Sequence, residues 1–213
     1  MREISPQGQT EARAAISSRA HYADETFREV RLGRDEVVST EFHGCLFLHS
    51  SFAESVLRQC RFVDCVFRQS DLSLVRFPGC SFTRTRFERC KVIGVNWTEA
   101  YWPKAGLGDS LGFSECAISH STFLGLSLRG IKLIDCVALD VDFREVDLSG
   151  ADFAGTDLAQ SVFGDTNLAQ ADLSRARNYS IDPAQNELHR ARFSLPEALS
   201  LLHSMDIVLV DED

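Results

Sequence analysis

An apolar residue recurs at every fifth position along most of this chain, and that spacing fits neither the 3.6-residue period of a helix nor the two-residue period of a strand. The series runs Tyr22, Phe27, Leu32, Val37, Phe42, Phe47, Phe52, Leu57, Phe62, Phe67, Leu72, Phe77, Phe82, Phe87, Val92, Trp97, Trp102 and Leu107. It slips by one residue within GDSLG (108 to 112). It then resumes at Phe113, Ile118, Phe123, Leu128, Leu133, Ala138, Phe143, Leu148, Phe153, Leu158, Phe163, Leu168 and Leu173. A second track, two residues before each of these, is dominated by Ala, Cys, Ser, Thr and Val. All seven cysteines (Cys45, Cys60, Cys65, Cys80, Cys90, Cys116 and Cys136) lie on it.

Two inward tracks two residues apart describe a short extended segment followed by a turn that redirects the chain. Four such sides close a square coil of 20 residues. Successive coils stack by strand-like hydrogen bonds at about 4.8 Å, with the large residue central and the small one near the wall. The expected fold is therefore all-β, a solenoid with a one-dimensional core. The same register predicts aromatic columns through Phe42, Phe62, Phe82 and Trp102, and through Phe123, Phe143 and Phe163. It also stacks Cys45 with Cys65, Cys60 with Cys80, and Cys116 with Cys136, which read as packing thiols. Residues 1–20 form an N-terminal extension in this reading, 21–177 the coil and 178–213 a C-terminal module. Pro103, Gly106, Gly108 and Gly112 suggest a local break in the rod.

Charge is unevenly placed. Residues 1–108 hold 13 acids and 15 bases, residues 109–213 hold 18 acids and 7 bases, and the whole chain carries −9. In the first half the 20-residue register opposes Arg34 to Glu54, Glu41 to Arg61, Asp64 to Arg84, Arg68 to Glu88, and Asp71 to Lys91. These ladders make a paired, solvated face rather than a nucleic-acid groove. In the second half like charges stack: Glu115 on Asp135, Glu145 on Asp165, and Asp152 on Asp172. Lys132 beside Asp152 and Asp157 beside Arg177 offset them in part. Residues 135–172 carry nine acids against Arg144 alone. A narrow rod so charged approaches the charge density of a DNA strand. The alternative for Asp142, Asp147, Asp152, Asp157 and Asp172, each just before a central apolar residue, is hydrogen bonding within the turn.

After Asn178 the rhythm ends. Ser194 with Glu197 reads as a capping box opening a helix whose apolar face is Leu195, Ala198, Leu199, Leu202 and Met205, and Ile207 to Val210 reads as a short strand. No apolar stretch approaches membrane-spanning length and the N-terminus has no signal-peptide core, so a cytoplasmic protein with no membrane association is expected. Net acidity argues against direct nucleic-acid binding. The chain contains no phosphate loop and no HExxH or CxxC motif, and its six histidines (His21, His43, His49, His120, His189 and His203) show no metal-ligand spacing. No metal, no cofactor and no catalysis are therefore expected.

The stretches GADFAGTDLAQ and AQADLSRA resemble the pentapeptide repeat proteins, whose consensus is A(D/N)LXX. That resemblance implies a right-handed quadrilateral parallel β-helix, here with a short C-terminal α-helix. More narrowly, GVNWTEAYWP (94 to 103) and ARFSLPEALSLLHSMDI (191 to 207) resemble the albicidin- and quinolone-resistance branch. Members of that branch dimerise through C-terminal modules and act on bacterial DNA gyrase as DNA mimics. The likeness implies a homodimer contact through Leu195, Leu199, Leu202, Met205 and Ile207. It also implies a gyrase-binding surface of Asp135, Asp142, Glu145, Asp147, Asp152, Asp157, Asp165 and Asp172, with topoisomerase IV a further candidate partner. With only a one-residue slip where quinolone-resistance members project loops, the albicidin type is the nearer comparison. The alternative function is a scaffold rod that binds an unrelated protein.

Overall fold

A computed structural model of the chain describes residues 16–103 and 111–210. It is a right-handed quadrilateral parallel β-helix with one short C-terminal helix. Each side is a strand of three or four residues, or a single bridge, and it pairs in parallel with the residue 20 positions on: Tyr22 with Phe42, Phe42 with Phe62, Phe62 with Phe82. One wall stacks His21–Ala23, Glu41–His43, Arg61–Val63 and Ser81–Thr83. The next stacks Thr26–Arg28, Leu46–Leu48, Val66–Arg68, Thr85–Glu88, Leu111–Ser114 and Lys132–Ile134. Alternation within each strand explains the pattern: in Glu41–His43 only Phe42 points inward and is buried.

Most corners place the residue two after the central one in the left-handed region, as at Asp64 (φ 55), Asp135 (φ 51) and Asp165 (φ 53). At some corners glycine also makes room for a side chain of the preceding coil, as Gly44 does for Asp24. Gly155 (φ 72) sits where a Cβ would collide with the carboxylate of Asp135 on the preceding coil.

The small track does more than fill space. Thr156 Oγ1 donates to the Leu133 carbonyl (2.6 Å) and accepts from the Cys136 amide (3.2 Å). Ser161 does the same with Ala138 and Val141. Cys80 does it with a thiol, donating to Leu57 (2.9 Å) and accepting from the Cys60 amide (3.3 Å). These side chains satisfy corner groups that the strand ladders do not reach. All seven cysteines are buried and free, in keeping with packing thiols.

The aromatic columns form as expected. Phe42, Phe62, Phe82 and Trp102 stack with centroids 5.0, 5.3 and 6.3 Å apart. Phe123, Phe143 and Phe163 continue a column that begins at Phe77 and Trp97. A third column, not anticipated, runs through Phe27, Phe47, Phe67, Phe87 and Phe113.

Four expectations are corrected. The slip near GDSLG is an insertion: Phe87 pairs with Phe113, a step of 26 residues where other coils take 20, so one corner carries six extra residues. A five-residue phase cannot distinguish one added residue from six. Leu107, Gly106 and Gly108 lie outside the described residues, as does most of the N-terminal extension. The coil also passes residue 177, because Asn167 bridges Glu187 and Asp172 bridges Arg192, with Leu188 and Phe193 packing on the core. The capping box does not form. Ser194 Oγ donates to the Ser174 carbonyl, Glu197 accepts from the Asn178 amide, and the helix α1, Leu199–Ser204, starts without a side-chain cap. Finally, Ile207 to Val210 pair with no strand, as four apolar residues beyond the last coil find no free edge among the described residues.

Candidate interaction surface: an acidic belt and an apolar end

Repeat geometry splits the eight acidic residues of the expected partner surface into two structural types. Asp142, Asp147, Asp152, Asp157 and Asp172 sit one residue before a central apolar side chain. Each carboxylate accepts the backbone amide two residues on: Arg144 (3.1 Å), Ser149 (3.1 Å), Ala154 (3.0 Å), Ala159 (3.1 Å) and Ser174 (2.9 Å). Asn167 occupies the same position on its own repeat and accepts from Ala169 (3.0 Å). The turn role is therefore real, and it needs the side-chain oxygen rather than the charge. The other three acids, Asp135, Glu145 and Asp165, occupy the left-handed corners.

The acids do not gather on one face. Asp142 bridges Val162, Asp147 bridges Asn167, Asp152 bridges Asp172 and Asp157 bridges Arg177, which are four separate ladders. The charge thus forms a belt around the rod.

Arginines neutralise part of it. Arg129 reaches Asp147 (3.4 Å), Arg144 reaches Asp142 (2.8 Å), Arg177 reaches Asp157 (3.4 Å) and Arg192 reaches Asp172 (3.1 Å). Arg144 pairs within its own turn, but counting charges along residues 135–172 hides the other three, because Arg129, Arg177 and Arg192 are about 20 positions away in sequence and one coil away in space. Among the described residues no ion pair within 4.0 Å involves Asp135, Glu145, Asp152 or Asp165. The expected stack of Asp152 on Asp172 is present, whereas Glu115 turns from Asp135 to pair with Arg89 (3.0 Å).

The local fields shift several of these groups. The Arg144 guanidinium, followed by its backbone amide, holds the Asp142 carboxyl below its ordinary range. Asn178 does the same for Asp157, with the Ala159 amide and Arg177 adding to it. For Asp172 the hydrogen bonds from Ser174 lead and Arg192 follows.

In the basic-and-acidic first half, Arg34–Glu54, Asp64–Arg84 and Arg68–Glu88 close as ion pairs of 2.6 to 2.7 Å. Asp71 instead accepts from its own turn at Ser73. Glu41 lies beside Arg61 in register, but its carboxylate turns to two imidazoles, His21 at 3.5 Å and His43 at 3.6 Å. The histidines show no metal-ligand spacing along the chain, yet His21 and His43 meet here around Glu41. Linear spacing shows no motif, whereas a 20-residue step brings residue 21 over residue 41. The repeat register is the signal that could have found it.

At the other end, the residues expected to form a dimer contact lie on the outer side of the terminal module. Leu195 is 76% exposed, Leu199, Met205 and Ile207 are also exposed, and Leu202 is half-buried. Helix α1 is anchored inward instead through Leu201, which packs on the core, and Ser204, whose hydroxyl donates to the Ile181 carbonyl. Val208 and Val210 extend the apolar surface, each 83% exposed. No helix is long and apolar enough to cross a membrane among the described residues.

Comparison with known proteins agrees with this geometry. Residues 40–111 match the family model for the pentapeptide repeat region, and residues 147–177 match that for pentapeptide repeats in eight copies. Among solved structures, a trypsin-treated variant of QnrB1, a plasmid-mediated fluoroquinolone resistance protein, is similar with TM-score 0.68 at 16% identity, covering 90% of this chain and 98% of that one. A second trypsin-treated QnrB1 variant gives 0.59 at 16% identity, covering 92% and 100%. HetL, a pentapeptide repeat protein involved in heterocyst differentiation regulation from the cyanobacterium Nostoc sp. strain PCC 7120, gives 0.52 at 15% identity, covering 83% and 87%. At these identities the likeness is one of fold. Among curated proteins none matches the chain in sequence.

Proposed function

This chain is a pentapeptide repeat protein, and on that premise we propose that it is an acidic rod that occupies the DNA-binding surface of bacterial DNA gyrase and so alters the enzyme's response to poisons such as albicidin or fluoroquinolones. The observation that carries the reading is the belt, which sets acids on every side of a narrow rod and leaves Asp135, Glu145, Asp152 and Asp165 without a cationic partner among the described residues. Coils about 4.8 Å apart space such charges on the scale of the 3.4 Å between phosphates of one DNA strand. A field of that kind steers association with a basic surface and makes it salt-dependent. The likeness in fold to QnrB1, a fluoroquinolone resistance protein, and the sequence likeness of residues 94–103 and 191–207 to the resistance branch support the reading. Topoisomerase IV, with a similar basic DNA surface, is a further candidate. The protein acts by binding, with no bond made or broken. It does so as a homodimer through Leu195, Leu199, Leu202, Met205 and Ile207, the exposed apolar end.

The test is gyrase supercoiling and gyrase binding across a salt series, with and without albicidin or a fluoroquinolone. The wild type is compared with a variant carrying Asp135→Asn, Glu145→Gln, Asp152→Asn and Asp165→Asn. Wild-type protein should inhibit supercoiling or rescue it from a poison. The variant should bind about tenfold more weakly, with a shallower salt dependence. Equal affinity of the two proteins would remove the electrostatic account.

A second reading is a scaffold rod for an unrelated protein, and the arginine pairing of four belt carboxylates favours it, since those charges already have a use inside the rod. HetL shows that such a fold also occurs in a regulator. No effect on gyrase in either assay would leave this reading standing.

A further inference from the structure

The wall nearest the N-terminus brings together three side chains that the acidic-rod reading does not use. His21 pairs in register with Glu41, and Ala23 with His43, on strands His21–Ala23 and Glu41–His43. Because Phe42 points into the core, Glu41 and His43 project outward on the same side of the strand, and His21 projects beside them from the coil before. His21 Nδ1 lies 3.5 Å from Glu41 Oε2 and His43 Nε2 lies 3.6 Å from the same oxygen. One ligand atom from each residue falls within 4.8 Å of the other two, and the imidazole rings are 5.1 Å apart.

Those separations suit a metal ion. Ligand atoms about 2.1 Å from a tetrahedral centre lie about 3.4 Å apart, close to both of the observed nitrogen–oxygen distances. We propose that His21, Glu41 and His43 form a site for a divalent transition-metal ion of the zinc class, which clips the first described strand of the solenoid to the coil that follows. Two imidazoles and one carboxylate select borderline ions such as Zn²⁺ over Ca²⁺ or Mg²⁺, which take oxygen ligands. The three side chains are 61%, 50% and 35% exposed, so water completes the coordination.

The surroundings temper the site without closing it. Arg61 follows Glu41 in the ladder and opposes a cation there. Asp64, one coil along from Gly44, is held by Arg84 at 2.6 and 2.7 Å, and Asp24 folds over Gly44 at the adjoining corner. Neither of these acids replaces Glu41. A carboxylate that merely held protonated imidazoles would account for the same distances, and metal titration separates the two cases. The inference is independent of the gyrase reading.

The experiment is isothermal titration of ZnCl₂ into the full chain without an affinity tag, paired with hydrogen exchange of residues 21–23. The expected result is one saturable Zn²⁺ per chain. Affinity should fall at least about tenfold in His43→Ala and in Glu41→Gln, and exchange should slow on Zn²⁺ addition in the wild type alone. All three side chains are on the surface, so these variants should keep the wild-type circular dichroism. Absence of saturable binding, or equal binding by a His21→Ala/His43→Ala variant, would overturn the site. Unchanged exchange in the zinc-bound wild type would overturn the clip.

Discussion

A hydroxyl and a thiol serve the same purpose on the small track of this solenoid. Thr156 donates to one carbonyl of the preceding coil and accepts one amide from it, and Cys80 makes the same pair of contacts with sulfur. Replacing Thr156 by valine keeps the shape and removes both bonds, leaving the Leu133 carbonyl and the Cys136 amide unsatisfied at a buried corner. Thr156→Val should therefore cost about 1 to 3 kcal/mol in urea unfolding, whereas Thr156→Cys should recover part of that loss. A valine variant as stable as wild type would show that corner water or backbone relaxation replaces the threonine. Shared hydrogen bonds with Cys60 and Cys116, and then burial, push the Cys80 and Cys90 thiols up. The track was readable as small from sequence. Its hydrogen-bonding role was not, because the partners are 20 and 23 residues away.

At the scale of the repeat, the aspartate before each central residue closes its own turn, and Asn167 shows that the turn needs an oxygen and not a charge. Charge enters through the lowered carboxyls of Asp142, Asp157 and Asp172. A folded-state pKa below the unfolded value of about 3.9 contributes stability that is complete above that pH and lost as pH falls through the folded value. Stability should thus decline below about pH 4. A variant with Asp142→Asn, Asp157→Asn and Asp172→Asn, which keeps the turn acceptors, should decline less steeply over the same window. Urea midpoints at pH 7 and pH 3 measure this, and parallel curves for the two proteins would refute it. The same geometry sets the test of function: Asp157 and Asp172 are tied to Arg177 and Arg192, so neutralising Asp135, Glu145, Asp152 and Asp165 probes the field more cleanly.

For the whole molecule, the two ends differ in character. The C-terminal end exposes Leu195, Leu199, Met205, Ile207, Val208 and Val210 in one short module, a concentration of apolar surface that a stable monomer would bury. The proposed homodimer would cover it and bring two acidic belts together at the centre of a longer rod. Light scattering should give twice the chain mass for wild type and the single mass for Leu199→Asp/Leu202→Asp, with the coil spectrum unchanged. A monomeric wild type would remove the dimer from the proposal. Between Trp102 and Phe113 the register advances by six residues more than one coil needs.

The five-residue recurrence by itself determined the coil, its inward tracks, two of its three aromatic columns and the place of every cysteine, because each repeat packs only on its neighbours and the core is a one-dimensional copy of the sequence. It left open everything that depends on a full turn of the solenoid. The insertion hid behind a phase that repeats every five residues, the belt's arginines came from coils above and below, and Ser194 left its capping box for a carbonyl of the last coil. His21, Glu41 and His43 met for the same reason. Side chains on the surface find partners across about 4.8 Å of stacking rather than along the chain, so the tertiary structure decided which charges remain available to a partner.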